Sequence, residues 1–264
     1  MSEPVILCNI DARGVANVSI NRPGVNNAYN GEVIDALLNG VKKLGADPKV
    51  RVIVLRGKGQ HFQAGADLRW INEVSARSDA DNLAVSKNTT DAIRFLDLCL
   101  KPTIALIHGA CVGGGTGIAA ACDIVIASED AFFSIAEVRW GLHAGPILPQ
   151  LAAAMGTRNL RRYAITGEHF DARTAQTLGL VHEVCATGEL EAAAAPVIDT
   201  ILKNGPNAIA DTKKIIFETS NLEIDDNLAL ELACDHARKR RTEEAAEGLR
   251  SFTEKRNAQW YLGS

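Results

Sequence analysis

No stretch of this 264-residue chain is apolar for long enough to span a bilayer, and its opening residues, Met1-Ser2-Glu3-Pro4, carry neither a basic start nor an apolar signal core. The expectation is a cytoplasmic protein with no membrane partner. The six cysteines (Cys8, Cys99, Cys111, Cys122, Cys185 and Cys234) include no pair at C-x-x-C spacing, and no histidine set has zinc-finger spacing. That argues against a disulfide framework and against a metal, and leaves reduced, mostly buried thiols. A charge excess is missing too. The net charge of −4 gives no electrostatic reason to bind nucleic acid, and the basic run Ala237-Arg238-Lys239-Arg240-Arg241 reads as a solvated helix face. Fixed-period repeats and low-complexity segments are also lacking. What is present, 47% hydrophobic and 23% charged residues, is the composition of a globular protein long enough for one large core with a helical appendage.

Apolar runs at Val5–Ile10 and Val15–Ile20, separated by Asp11-Ala12-Arg13-Gly14, predict two strands joined by a turn. Asn21-Arg22-Pro23-Gly24 breaks the second strand, and Glu32–Leu44 then repeats its apolar residues with a helical period. Val52–Leu55 is a short buried strand. A helix near Thr90–Leu100, a strand at Thr103–Ile107, a helix from Gly114 to about Ala121 and a strand at Ile124–Ala127 continue an α/β alternation. Ser75–Asn88 reads as a mobile surface loop. From Glu189 onward, Leu190–Leu202, Pro206–Thr219, Leu228–Arg240 and Glu243–Lys255 carry no strand signal and predict helices whose apolar faces need something to pack on.

Two separated segments are built to aim a backbone N–H at one point. In Ala64-Gly65-Ala66-Asp67-Leu68 small residues let a ligand oxygen approach the peptide plane, and Val112-Gly113-Gly114-Gly115-Thr116-Gly117 opens an apolar helix whose first amides have no intrahelical acceptor. Together they suggest an oxyanion hole. A third segment, Ser134-Ile135-Ala136-Glu137-Val138-Arg139-Trp140-Gly141, places a carboxylate in apolar surroundings. Partial burial there would raise the pKa of Glu137 toward the range useful for proton transfer. From local sequence, pairing of Glu137 with Arg139 on a surface helix is the competing reading. Asp123 reads as structural and Asp67 as a loop-fixing residue, while Trp140, Trp70 and Tyr29 read as packing residues or pocket walls.

Asn21-Arg22-Pro23 with Asn27-Ala28, Phe62 through Leu68, Gly113-Gly114-Gly115 before Cys122-Asp123-Ile124, Glu137, Gly141-Leu142, Gly179-Leu180-Val181 and Glu247 through Arg256 closely resemble the enoyl-CoA hydratase/isomerase (crotonase) family. The resemblance spans nearly the whole chain. It implies an α/β fold, a crotonase-like spiral of ββα units over residues 1–190 that carries an acyl-CoA site. A C-terminal helical trimerisation and capping region over residues 191–264 would follow, in a homotrimer or dimer of trimers. It implies a coenzyme A thioester as substrate, no cofactor, and oxyanion donors at the N–H groups of Ala66 and Gly114. Ala64, Asp67 and Leu68 are expected to meet the adenine ring, and Phe252 and Lys255 to reach coenzyme A. His143 and Trp140 fall where the family lines the acyl pocket.

One position departs from the pattern. Two-glutamate hydratases in the family carry a glutamate three residues after the middle glycine; this chain has Gly117 there. Gly117 lies one turn from Gly114 on the same face, so its missing side chain leaves either room for a bulky acyl group or close packing against a neighbour. The expected function is hydration of a 2-enoyl-CoA with Glu137 as acid/base, most like hydratases of branched glutaconyl-CoA thioesters from leucine or terpenoid breakdown. The alternatives are Δ3-Δ2-enoyl-CoA isomerisation by a single glutamate and a non-catalytic acyl-CoA-binding homologue. The family's RNA-binding branch uses a lysine-rich helix, whereas Glu32–Leu44 offers only Lys42 and Lys43.

Overall fold

A hairpin opens the fold because Asp11 turns the chain back on itself: its carboxylate accepts hydrogen bonds from the amides of Arg13 and Val15. Strands β1 (Ile6–Ile10) and β2 (Val15–Ile20) pair antiparallel across this turn. The computed structural model describes residues 3–220 and 222–263, so Met1 and Ser2 of the opening segment lie outside the described residues. Helix α1 (Gly31–Ala46) starts where the Asn30 side chain accepts from the Val33 amide, and it buries Val33, Ile34, Leu37, Leu38, Val41 and Leu44 as one stripe.

The chain then repeats one unit. After β3 (Val52–Gly57) come β4 (Gln63–Ala64), α2 (Leu68–Ser75) and α3 (Asp79–Asp97). The next turn is β5 (Thr103–Ile107), β6 (Ala110–Val112) and α4 (Gly114–Ala121). A further turn is β7 (Ile124–Ser128), β8 (Phe132–Ser134) and, after two short 3-10 turns, α5 (Leu148–Met155). Each turn adds one strand to each of two sheets. The larger sheet has the order β1-β2-β3-β5-β7 and the smaller runs β4-β6-β8, with parallel pairing between successive turns. Helix α6 (Thr157–Thr166) leads to β9 (Phe170–Asp171), antiparallel on the small sheet; α7 (Ala172–Thr177) leads to β10 (Glu183–Cys185), which closes the large one beside β7.

The two-residue period of the strands divides the interior. Ile53, Leu55, Ala105 and Ile107 face the main core with α1, whereas Val52, Val54, Ile104 and Leu106 face Leu190, Ala194 and Leu202 of α8 (Leu190–Lys203). Beyond α8 lie α9 (Pro206–Thr219), α10 (Asp226–Lys239) and α11 (Glu243–Thr253). No described residue of α9 or α10 is fully buried. Arg51 reaches this tail from the start of β3, donating to the carbonyls of Leu202, Asn204 and Trp260. The fold is mixed α/β with a helical C-terminal region.

One expectation fails. Ser75–Asn88 is not a loop, because α3 begins at Asp79 and runs unbroken through it. Ser78 caps this helix by accepting from the Asp81 amide, and Asp79 and Asp81 complement its dipole. Its first turns are exposed on most sides, so they lack the apolar period by which a helix is read from sequence.

Candidate active site

The small-sheet ladder brings the two Gly-rich segments together. Gln63 pairs with Cys111 and Ala64 with Val112, a register that, continued, sets Ala66 opposite Gly114. Pairing stops short of that point because Gly65 and Gly113 both have positive φ, 89° and 54°, conformations glycine adopts without steric cost. The two glycines approach closely: Gly65 Cα is 3.6 Å from where a Cβ on Gly113 would lie. Each then delivers a free amide. Tyr29 bridges the first segment, donating to the Gly65 carbonyl at 2.9 Å and accepting from Asp67 N–H at 2.9 Å, which leaves the intervening Ala66 N–H on the other edge. Gly114 is the first residue of α4 and has no acceptor one turn back. Among the described residues neither amide donates a hydrogen bond within the chain.

Glu137 completes the cluster from the third segment. It opens a 3-10 turn, Glu137–Trp140, that ends at Gly141 with φ 70°. Its Oε1 lies 2.9 Å from the Cβ position of Gly113, so a side chain at Gly113 would push the carboxylate away from the amide pair. Oε2 is buried and finds no hydrogen-bond partner among the described residues. Burial pushes the Glu137 carboxyl above the ordinary range, opposed only by its own backbone amide. The Arg139 pairing allowed by local sequence does not form: among the described residues Glu137 has no ion pair, and Arg139 Nε lies instead 3.2 Å from the Cβ position of Gly167.

The remaining candidates separate. Asp67 is engaged by the fold: although burial works against its charge, the Arg22 guanidinium and the amides of Arg69 and Trp70 hold its carboxyl below the usual range. The ion pair with Arg22 measures 3.2 Å. Ala64 N–H donates to the Asn26 carbonyl, and Leu68, the first residue of α2, is exposed at the rim. Gly117 does not open a cavity. A Cβ there would collide with Ile147, whose own Cβ is only 2.7 Å away, so close packing and not acyl space accounts for the glycine. His143 is exposed, its Nδ1 accepting from Gly145 N–H at 3.1 Å. Trp140 is 61% and Phe252 85% exposed, and Lys255 stands in the left-handed region at φ 53°, away from the Glu137 cluster in sequence and on the exposed tail. Asp123 is structural as expected, accepting from Thr103 N–H, Thr103 Oγ1 and Lys213 Nζ.

Two residues carry more than the sequence reading gave them. Gln63, fully buried, accepts the Gly65 amide on Oε1 at 3.1 Å and packs under Gly115. Its signal was a lone amide in the apolar run Phe62-Gln63-Ala64. Tyr29 holds the Ala66 strand with its backbone and lays its ring 2.6 Å from the Cβ position of Gly114.

The family model described as enoyl-CoA hydratase/isomerase matches residues 11–262. A crystal structure of an enoyl-CoA hydratase from Shewanella pealeana superposes with a TM-score of 0.93 at 35% identity, covering 97% of this chain and 96% of that one. A peroxisomal Δ(3,5)-Δ(2,4)-dienoyl-CoA isomerase of Arabidopsis thaliana is 33% identical over 85% of this chain and 84% of its own length. A mevalonyl-coenzyme A hydratase of Aspergillus fumigatus is 30% identical over 92% of this chain and 90% of its own. With sequence and fold matching over nearly the full length, the chain belongs to the enoyl-CoA hydratase/isomerase, or crotonase, family.

Proposed function

We propose that this protein hydrates a 2-enoyl-CoA thioester, with Ala66 and Gly114 as oxyanion donors and Glu137 as the acid/base. One observation carries the reading: among the described residues a buried carboxylate oxygen finds no partner near two amides that find no acceptor. Such unsatisfied groups are costly in a folded protein and are retained where a ligand completes them. A thioester oxygen held by both N–H groups withdraws electron density from C3. Glu137 takes a proton from water as the water oxygen bonds to C3, the C2–C3 π electrons move toward the thioester oxygen, and Glu137 returns the proton to C2. Each donor is worth about 3 kcal/mol to such a transition state. The substrate type we favour is a branched glutaconyl-CoA, on the resemblance of Gly117 and the segment from Glu137 to Leu142 to such hydratases. By the family resemblance, main-chain groups around Ala64, Asp67 and Leu68 would meet the adenine, and Phe252 and Lys255 would reach coenzyme A from a neighbouring subunit of a trimer or dimer of trimers.

A second reading, double-bond migration, is favoured by Ile147. Position 117 carries no second carboxylate and Ile147 fills the space, while moving a proton between C2 and C4 requires only Glu137. Supplying a 2-enoyl-CoA and a 3-enoyl-CoA separately in ¹⁸O water separates the two. Loss of conjugated-thioester absorbance with one ¹⁸O per product supports hydration, gain of absorbance without label supports isomerisation, and tight binding with neither rejects both.

A further inference from the structure

Tyr29 is placed as no simple packing residue would need to be. Its backbone holds the strand that carries Ala66, its ring covers Gly114, and the ring is fixed edge-on by Trp70 at 6.0 Å between centroids. Its ring and the Glu137 carboxylate stand over consecutive residues, Gly114 and Gly113. Among the described residues the Tyr29 hydroxyl makes no hydrogen bond within the chain, and the half-buried side chain leaves it accessible to a ligand or water. A phenol uses an apolar body for packing and its polar tip for a partner, and here the chain leaves that tip free for a ligand.

We infer that the Tyr29 hydroxyl recognises an oxygen on C3 of the acyl chain, donating a hydrogen bond to the hydroxyl of a 3-hydroxyacyl thioester or to the water that becomes it. This rests on the hydration reading. In this reading the thioester oxygen sits at the Ala66 and Gly114 amides and the next carbons of the acyl chain pass the two groups that stand over Gly113 and Gly114, the Glu137 carboxylate and the Tyr29 ring. Ile147 is apolar and occupies the wall at Gly117, so no side chain at that position can hold the oxygen. Burial and the negative charge of Glu137 push the Tyr29 phenol up to about 12, which keeps it a neutral donor throughout the working pH range.

Tyr29→Phe keeps the ring, the Trp70 contact and both backbone bonds while deleting the donor. Affinities for butyryl-CoA and 3-hydroxybutyryl-CoA, measured by titration calorimetry, give a readout independent of turnover. The expected result is that the wild-type protein prefers the hydroxy thioester and that the preference falls about tenfold in Tyr29→Phe, with butyryl-CoA unchanged. Hydration kcat should fall at least as far, while Glu137-dependent exchange of C2 protons of butyryl-CoA into deuterium oxide stays constant. A wild type that does not distinguish the two thioesters, or a variant that loses affinity for both equally, overturns the inference. A Tyr29-dependent preference in a protein that hydrates nothing would preserve the inference and sink the hydration reading; normal hydration by Tyr29→Phe with an unchanged preference would do the reverse.

Discussion

In the role proposed for it, Glu137 sets function against stability within a single residue. Its raised pKa means that the folded chain binds a proton the unfolded chain has released, so over the interval between the two pKa values stability falls as pH rises. Glu137→Gln removes the buried charge and keeps the shape. Turnover should drop about 10²-fold or more, and thermal denaturation at neutral pH should shift upward, with the difference vanishing in acid below the ordinary carboxylate range. A variant equally active, or one destabilised at neutral pH, contradicts the role given to Glu137. The acidic limb of the wild-type rate profile should likewise lie above that of an ordinary glutamate. At this scale the sequence was only partly legible. Glu137 between apolar neighbours announced its burial, but nothing near Gly117 in the chain announced Ile147, thirty residues on, because contacts across packed layers leave no local pattern.

Among the elements, the short strands β4 and β6 do the most, because the place where they part creates both free amides. Proline has no N–H, so Ala66→Pro removes one donor while sacrificing no internal hydrogen bond. Turnover should fall about 10²- to 10³-fold with the circular dichroism spectrum and the affinity for free coenzyme A intact. Retained turnover would show that Ala66 and Gly114 do not act on one oxygen. Elements with strong periodicity were read well from sequence: β2, β5, α4 and α9 coincide with their expected spans, and α1 and α8 differ by a residue or two. The first half of α3 was missed because its residues face water on most sides, and capping by Ser78 specifies a helix start without any apolar stripe. Tyr29 was legible as an aromatic wall but not as a clamp, since a single bridge to Ala66 joins segments whose pairing has no sequence period.

For the whole molecule, the imbalance lies in the tail. Ile216, Phe217, Ile224 and Leu230, on and between α9 and α10, are all more than half exposed. The proposed trimer would cover such surface, and Ile216→Asp with Leu230→Asp should lower the mass found by sedimentation equilibrium while leaving the spiral folded. An unchanged mass would place the subunit contacts elsewhere. The tail is also held together by its own contacts: Glu244 of α11 accepts the amides of Asn207 and Ala208 that begin α9, and Lys239 pairs with Asp211 and Glu244. Its two ends meet at the Arg51 guanidinium, with Trp260 Nε1 returning to the Lys203 carbonyl. Topologically, residues 205–259 therefore form an excursion that leaves and rejoins the chain at one point. Because the excursion is tied off at its root, changes confined to its outer face need not move the chain on either side. The surface proposed for assembly thus hangs on this one clasp, and altering it leaves the paired amides where the spiral sets them.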